Sequence, residues 1–379
     1  MVDVIGVDVG FGFTKAYNGK GSVIFKSVLG ESSEIQFHSN LKDDNDPSKN
    51  LHVTIDDKTF FIGEFAETQS SVRLFTLDQN KLLADYAKVL ALTAIGLCND
   101  DELQTVNVVS GLPVGFLKRD HQRLIELLRG KHRVVFHTKD GTRVTKKINI
   151  PRVKMMPQPL GSVFNLLMDD HGKIINQDLV SKKIGVVDIG FRTTDYSVFD
   201  KLQYIERGSG TMDTGLSKSL NIIAGKLKKE SGINIELYRL HDVPKKGALF
   251  IKGKEYNITN LKQKVYEHAA SSIVADMNRL WVDDWDIEAI LITGGGSREL
   301  LEFLNQSIDG NVIPIDSTLD SRTNNVKGYY KFAKHEWGQM ISQSQQVREV
   351  PKEEPELVEE PPKPESIENK PKSMGWLRK

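Results

Sequence analysis

The chain carries one short pattern twice, at "GVDVGFGFTK" (residues 6–15) and at "GVVDIGFRTTD" (residues 185–195). In each copy an aspartate, Asp8 or Asp188, ends an apolar run typical of a β-strand, and a glycine follows two positions later. A buried aspartate is costly unless it meets a cation or several hydrogen-bond donors. The glycine lets backbone N–H groups approach a ligand closely. Two such turns that face each other would hold a polyphosphate from both sides.

The distance between the copies indicates two lobes. A chain of 379 residues is longer than a single hydrophobic core usually accommodates. Hairpins and helices recur in the same order in each half, which predicts duplicated α/β lobes around a cleft. We expect a first lobe over 1–165, completed by 320–346, and a second lobe over 166–319. Residues 347–379 are rich in proline and glutamate and predict a disordered, extended tail.

Composition excludes some partners. Lysine plus arginine equals aspartate plus glutamate at 51 each, so the overall charge indicates neither direct nucleic-acid binding nor an anionic membrane surface. No window approaches the roughly 18 apolar residues of a membrane span, and the N-terminus has no secretory signal pattern. The single cysteine, Cys98, suits a reducing compartment. We therefore expect a cytoplasmic protein without membrane insertion.

Four local predictions concern elements that flank the two turns. Apolar spacing predicts one helix over 78–97, begun by an aspartate cap. The stretch "MMPQPLG" predicts a loop before an apolar helix, and "GSGTMDTG" predicts a glycine-rich loop. A further helix is expected over 324–337.

The residue types of the two turns predict a metal and phosphate site. Asp8 and Asp188 would hold Mg²⁺ directly or through water, and Lys15 would neutralise phosphate charge. A run of three glycines, 294–296, follows the apolar strand "AILIT" and precedes a helix. This placement suits close packing against a ribose or adenine, whereas the alternative is a plain strand-to-helix turn.

These three stretches resemble the phosphate-1, phosphate-2 and adenosine motifs of the actin, Hsp70 and sugar-kinase ATPase superfamily. "GVDVGFGFTK", "VVSGLPVGF" and "VDIGFRTTD" are most similar to prokaryotic actin-like proteins of the plasmid-partitioning and archaeal-actin type. The resemblance covers roughly residues 1–340. It implies an actin-like ATPase fold of class α/β, with two duplicated ribonuclease-H-like lobes around a nucleotide cleft, and the cofactors ATP and Mg²⁺.

The resemblance also implies roles for particular residues. Gln158, in the loop before the first connecting helix, would orient the attacking water, with Asp8 and Asp188 as the other catalytic and metal-binding residues. The residues implied to bind the nucleotide are Gly10, Phe11, Gly12, Thr14, Lys15, Gly190, Thr193, Thr194, Asp213, Gly294, Gly295 and Gly296.

Two of these assignments have alternatives. Phe11 stands where many members of the superfamily have a hydroxyl that touches the γ-phosphate, so that contact would come from backbone N–H groups or from Thr14. Asp213 could instead cap the helix that follows it.

The implied function is an ATP-dependent cytoskeletal protein that polymerises with itself. Glutamine is a poor base, so slow hydrolysis is expected. Such filaments serve plasmid DNA segregation or the positioning of organelles such as magnetosomes. The tail would keep filaments apart or recruit an adaptor protein. The alternative is a small-molecule, sugar-type kinase of the same superfamily, which would need a carboxylate base for the acceptor hydroxyl.

Overall fold

The computed structural model describes residues 3–33, 46–99, 101–241, 243–313 and 320–348. The described residues up to Gly338 form one compact unit. The strands of the first half are β1 Asp3–Val9, β2 Phe13–Tyr17, β3 Ser22–Lys26, β4 Leu29–Glu31, β5 Leu51–Ile55, β6 Lys58–Ile62, β7 Arg73–Leu74, β8 Leu103–Leu112, β9 Gly130–His137, β10 Arg143–Ile150 and β11 Val153–Pro157. Those of the second half are β12 Lys183–Ile189, β13 Thr194–Asp200, β14 Gln203–Met212, β15 Ala248–Ile251, β16 Lys254–Asn257, β17 Ala289–Thr293 and β18 Val312–Ile313.

Helices alternate with these strands. The α-helices are α1 Glu64–Gln69, α2 Gln79–Leu82, α3 Asp85–Leu97, α4 Val114–Leu128, α5 Gln158–Leu167, α6 Gln177–Ser181, α7 Leu216–Ser231, α8 Leu237–Leu240, α9 Val243–Lys246, α10 Thr259–Leu280, α11 Ser297–Ser307 and α12 Asn324–Arg348. Short 3₁₀ turns lie at Pro47–Lys49 and Ser321–Thr323. Within the described part of the chain, no helix is long and apolar enough to cross a membrane.

Both halves build a sheet with the same strand order. In the first, β3, β2 and β1 are antiparallel neighbours, and β8 and then β11 continue parallel to β1. In the second, β14, β13 and β12 are antiparallel, and β17 and then β18 continue parallel to β12. The first sheet is extended on β8 by β10, β9, β5, β6, β4 and β7. The repeated order confirms the prediction of duplicated α/β lobes, while the proposed lobe boundaries stay a prediction.

Each sheet has its own apolar core, and a third core lies against both. The first core packs α3 and α4 on the first sheet, and the second packs α7, α10 and α11 on the second sheet. The third contains Val109 of β8, Val186 of β12, Phe164 of α5 and Tyr329 of α12. Helices α5 and α12 therefore join the two sheets through buried contacts.

Helices α5 and α12 approach at two glycines. A Cβ on Gly328 would lie 1.6 Å from the carbonyl oxygen of Gly161, which only glycine permits. Tyr329, the next residue, is fully buried and packs so closely on Gly111 that a Cβ there would lie 1.9 Å from the tyrosine hydroxyl. This crossing brings the start of α5 to the ends of the central strands.

Two predictions on local structure are wrong because sheet pairing overrides local signals. The stretch "MMPQPLG" contains no loop: its first three residues end β11, which pairs with β8 over Val108–Leu112, and its last four begin α5 at Gln158. The predicted glycine-rich loop is strand up to Met212, because β14 pairs with β13. A Cβ on Gly208 would lie 2.8 Å from Val198 Cγ2, so the glycine serves close packing there.

Two helix predictions and the start of the predicted tail need adjustment. The helix expected over 78–97 is capped by Asp78 as predicted, but it breaks at Ala84, whose backbone is extended, so that α2 and α3 are separate. Helix α12 runs beyond the expected 337 to Arg348. Of the tail predicted over 347–379, the first two residues are helical, and 349–379 lie outside the described residues.

Candidate functional site

A cavity lies at the carboxyl ends of the central parallel strands of both sheets. Open α/β sheets bind ligands at this edge. Its walls come from the turn after β1, the ends of β8 and β11, the turn after β12, the glycines after β17 and the start of α12. The lining includes Asp8, Gly10, Phe11, Gly12, Phe13, Lys15, Gly111, Pro113, Gln158, Asp188, Gly190, Phe191, Arg192, Thr193, Gly294, Gly295, Gly296, Arg322 and Asn325.

The first acidic turn is neutralised within its own hairpin. Asp8 on β1 lies opposite Lys15 on β2, and Lys15 Nζ donates to Asp8 Oδ2 at 2.7 Å. Asp8 is only 3% exposed. Its second oxygen accepts from Gln158 Nε2 at 3.0 Å. Both carboxylate oxygens are thus held by donors that line the cavity, and α5 aims Gln158 at the first turn.

The second acidic turn is buried without a cation opposite its aspartate. Asp188 on β12 lies opposite Asp195 on β13. The pKa of Asp188 is raised to about 6, mainly by burial. The hydrogen bond from Asn325 Nδ2, at 2.7 Å, and the charge of Lys15 oppose this rise, whereas the negative charge of Asp8 adds to it. Burial likewise raises the pKa of Asp195 to about 7. The second turn therefore holds carboxyl groups that a cation would help to ionise.

Asp195 also links the second hairpin to α4. Its Oδ1 accepts from the backbone N–H of Val114 at 2.9 Å and from the hydroxyl of Thr211. Thr211 Oγ1 accepts in turn from the N–H of Gly115 at 2.8 Å. The residue before α4 is Pro113, which offers no side-chain cap. The first N–H groups of α4 are therefore capped by the second lobe.

The glycine run packs against the second turn. Gly294 has a φ of +89°, and a Cβ there would lie 2.2 Å from Asp188 Oδ1. Gly296 N donates to the carbonyl of Ile189 at 2.8 Å. A Cβ on Gly295 would meet only the aliphatic part of Arg322, at 3.3 Å. These glycines permit a backbone approach that fixes Asp188 beside the cavity.

Most of the predicted site residues meet at this cavity. Three do not line it. Thr14 is fully buried with its Oγ1 2.9 Å from the hydroxyl of Ser27, and Thr194 is fully buried and donates to the carbonyl of Thr214. The side chain of Asp213 is exposed and pairs with Arg192 at 3.7 Å. Asp213 does not cap α7, whose N-cap is Gly215 without a side-chain hydrogen bond.

The two phenylalanines that follow the turn glycines fill space between the hairpins. Phe11 is 7% exposed and belongs to the first core, and the Arg192 guanidinium lies 5.1 Å from its ring centroid. Phe191 lies against Gly12, where a Cβ would be 3.0 Å from the Phe191 Cβ. Each turn thus packs its ring on the opposite turn, and neither residue offers a hydroxyl.

Sequence reasoning missed Asn325 and Arg322 as residues that line the cavity. Asn325 is 7% exposed and bonds Asp188, while Ser162 Oγ donates to Asn325 Oδ1 at 2.6 Å. Arg322 lies with its guanidinium 4.9 Å from the Phe13 ring centroid. The available signal was the polar run "DSRTNN" directly before an apolar helix, which marks a helix start rather than a ligand site.

The donor set at the cavity fits Mg²⁺. Among the described residues no group of three or more His, Cys, Asp and Glu side chains could hold a metal ion. Asp8 and Asp188 nevertheless lie close enough for the charge of one to raise the pKa of the other. Mg²⁺ commonly uses one or two carboxylates and takes its other ligands from phosphate and water. Two carboxylates at a cavity lined by turn backbone match that requirement.

Comparisons with known proteins agree with this geometry. Residues 6–161 match the family described as actin like proteins N terminal domain, and residues 186–306 match the archaeal actin homologue MreB-like C-terminal family. No curated protein matches the chain by sequence.

Three solved structures are similar over nearly their whole length. The pCBH ParM non-polymerisable quadruple mutant is 25% identical with a TM-score of 0.75. A ParM from a 15-stranded filament of Clostridium botulinum is 24% identical with a TM-score of 0.76, and the archaeal actin homolog Ta0583 in complex with ADP is 20% identical with a TM-score of 0.71. Each match covers 88% of this chain and 99% of the other.

The duplicated sheets and the cavity between two acidic turns define a protein with the actin-like ATPase fold. The family matches agree with this fold, because the first half matches an actin-like family and the second half matches an archaeal actin family. The chain therefore carries an actin-like N-terminal domain and an archaeal MreB-like C-terminal domain, with ParM and an archaeal actin homologue as structural neighbours.

Proposed function

We propose that the chain binds ATP and Mg²⁺ at this cavity, hydrolyses the ATP slowly, and polymerises with itself into cytoskeletal filaments. The observation that carries the proposal is the position of Gln158. It begins α5 at the cavity and is hydrogen-bonded to Asp8 of the first turn. The fold supports nucleotide hydrolysis in general, and a structural neighbour in complex with ADP supports nucleotide binding.

Different residues at the cavity would bind phosphate, balance its charge and position the attacking water. Gly10, Gly12 and Gly190 let turn backbone approach the phosphates. Lys15 supplies a positive charge beside Asp8. Bound Mg²⁺ would neutralise the charge on the β- and γ-phosphate oxygens. With Gln158 Nε2 held by Asp8, its Oε1 is the group that accepts a hydrogen bond from the attacking water.

Slow turnover follows from the chemistry of the amide. Gln158 can orient a water molecule but cannot take its proton, because an amide is not basic at neutral pH. The packing of Phe11 and Phe191 leaves the turns without a hydroxyl at those positions, so contacts to the γ-phosphate would come from backbone N–H groups. A slow ATPase is better suited to timing the age of a filament subunit than to turning over a metabolite.

We propose a cytoplasmic filament for plasmid DNA segregation or for the positioning of organelles such as magnetosomes. ParM filaments among the structural neighbours support self-assembly. The two lobes, 1–165 with 320–346 and 166–319, would close on the nucleotide, and residues 347–379 would recruit an adaptor protein. Contact with DNA would be indirect, and the filament would not insert into a membrane.

Polymerisation tests this proposal directly. Purified full-length protein is mixed with Mg-ATP and followed by light scattering, phosphate release and negative-stain microscopy. We expect filaments from wild type, none from Asp188→Ala, and wild-type behaviour from Asp178→Ala, a control on the exposed side of α6. Absence of polymer with every nucleotide, together with phosphorylation of a sugar, would instead establish the small-molecule kinase.

Gln158→Ala separates hydrolysis from assembly. Because Gln158 positions water rather than phosphate, we expect this variant to polymerise while phosphate release falls by about 100-fold. Its filaments would persist after wild-type filaments have disassembled. Phosphate release at the wild-type rate from Gln158→Ala filaments would remove Gln158 from the mechanism.

A further inference from the structure

An acidic loop with exposed apolar side chains follows the C-terminus of α10. This acidic loop, residues 281–288, has the sequence "WVDDWDIE". Within it Val282 is 71% exposed and Trp285 is 87% exposed. Two large apolar side chains at such exposure within four residues of one loop mark an interaction site more often than a solvated surface. Tryptophan is also the residue most enriched among those that dominate interface energies.

The acidic loop is held rigidly from beneath. Asp284 is 2% exposed and accepts two hydrogen bonds from Arg207, both at 2.8 Å, and pairs with Lys183 at 2.8 Å. Lys183 also pairs with Asp286. The neighbouring Trp285 is therefore held outward by its anchored neighbours, so a partner would bind it at little cost in conformational entropy.

A basic hairpin lies at the other end of α10. This basic hairpin, residues 246–257, consists of Lys246 at the end of α9, Gly247, and then β15, a two-residue turn and β16. Its exposed lysines are Lys246, Lys252 and Lys254, against one exposed glutamate, and Phe250 is 72% exposed. Lys252 and Gly253 have φ values of +49° and +80°. Positive φ at both positions is typical of a tight type I′ turn, which presents these side chains on a defined tip.

The two surfaces cannot meet within one chain. Helix α10 has 22 residues and is therefore about 33 Å long. The basic hairpin ends at Asn257, directly before the helix, and the acidic loop begins at Trp281, directly after it. Each molecule thus carries two different, chemically complementary surfaces at opposite ends of one rigid rod.

We propose that the basic hairpin of one copy binds the acidic loop of the next copy. Lysines 252 and 254 would face the exposed carboxylate of Asp283 in the acidic loop. Phe250 would pack on Trp285, with the lysines also able to lie over the indole. A contact between two different surfaces is heterologous, and repeated without closure it generates a filament. The inference rests on the proposed filament function and assigns the residues of one contact along the filament.

Charge reversal tests this pairing. Lys252→Glu and Asp283→Lys each place like charges opposite each other, so each variant alone is expected to need at least about 10-fold more protein to polymerise. The double variant restores an opposite-charge pair and should polymerise near the wild-type concentration. An equimolar mixture of the two single variants should also polymerise when the variants alternate. The hairpin of Lys252→Glu then meets the loop of Asp283→Lys, and every other contact is the wild-type pair.

Controls separate this inference from the proposed function. Lys20→Glu, on the exposed turn between β2 and β3, should polymerise as wild type does. Nucleotide affinity measured below the polymerisation threshold should be unchanged in all variants. If wild type polymerises and both single variants do so equally well, the pairing is wrong while the filament function stands. If wild type forms no filament with Mg-ATP, both fail together.

Discussion

The two acidic hairpins have the same backbone arrangement, but the residues opposite their aspartates differ in charge. Each places an aspartate on its first strand, Asp8 or Asp188, and a turn glycine whose N–H donates to a carbonyl three residues later. The residue opposite the aspartate is Lys15 in the first hairpin and Asp195 in the second. The first hairpin therefore carries an internal ion pair, whereas the second carries two buried carboxyl groups.

The difference shows how a duplicated motif becomes two halves of one site. The first hairpin supplies its own counter-charge for Asp8, and Gln158 of α5 adds a neutral donor. The second depends on other elements, because Asp188 is held by Asn325 of α12 and Asp195 by the N–H of Val114. A cation at the cavity would act mainly on the second hairpin, where ionisation is costly.

The largest effect is expected from breaking the ion pair of the first hairpin. Lys15→Met leaves Asp8 buried without its cation, and the loss of one partner from a buried pair costs about 3 kcal/mol or more. Urea unfolding without nucleotide should show this loss, and ATP affinity should fall as well. Lys20→Met, on the exposed turn after β2, is the control. Unchanged stability would mean that Asp8 does not depend on Lys15.

A somewhat smaller effect should follow from crowding the second hairpin. Gly294→Ala imposes a Cβ 2.2 Å from Asp188 Oδ1 at a φ of +89°, which we expect to cost about 2 kcal/mol and to displace Asp188. Gly295→Ala is the matched control, because its Cβ would meet only a flexible arginine side chain. Thermal unfolding of both variants distinguishes the two positions, and ATP binding is compared between Gly294→Ala and wild type. Equal behaviour would contradict the close approach at Gly294.

The pH dependence of stability tests the acid pair itself. A folded-state pKa of about 7 for Asp195, above the ordinary value of 3.8, means that the folded state binds its proton more tightly than the unfolded state. This contribution to stability is present below pH 4 and is lost as the pH rises through 7. Asp188, with a pKa of about 6, acts in the same direction.

Asp195→Asn should therefore flatten the pH profile. Asparagine keeps an acceptor for the Val114 N–H but cannot ionise. Between pH 5 and pH 8, urea unfolding in EDTA should show that the variant loses about 2 kcal/mol less stability than wild type. Asp178→Asn, at an exposed position, should leave the profile unchanged. A variant profile as steep as that of wild type would place the titration elsewhere.

The smallest effects are expected at the paired threonines. Thr14 and Thr194 occupy equivalent positions and use their hydroxyls inside the protein. Thr14→Val and Thr194→Val should each cost about 1 kcal/mol of stability, the usual worth of one hydrogen bond. ATP affinity should not change, as measured by isothermal titration. A tenfold weaker affinity in either variant would instead support the nucleotide contact implied by the sequence resemblance.

Elements built from neighbouring residues could be predicted from the sequence. The hairpins of both turns, the cap at Asp78 and helix α7 depend on local alternation and capping, which the sequence displays directly. The cavity was predictable in outline for the same reason, because a repeated acidic turn and a glycine run mark the ends of strands. Gln158 was placed at the cavity through the family resemblance, and its bond to Asp8 appears only in the structure.

Contacts between distant residues were not predictable in this way. Residues 153–157 form strand β11 because they pair with β8, although their own sequence contains a proline and resembles a loop. Asn325 meets Asp188 across 137 positions of sequence, and no local pattern indicates such a pair. Asp195 is similar: its carboxylate caps a helix that begins 81 residues earlier.

The core that lies against both sheets has a consequence for unfolding. Residues of β8 and β12 pack together on α5 and α12, and those helices touch backbone to backbone at Gly161 and Gly328. Exposing the core of one lobe would therefore strip apolar contacts from the other. The lobes should melt in a single calorimetric transition, with equal calorimetric and van 't Hoff enthalpies. Nucleotide binding would then stabilise both lobes together, so that the bound protein would still unfold with one thermal midpoint.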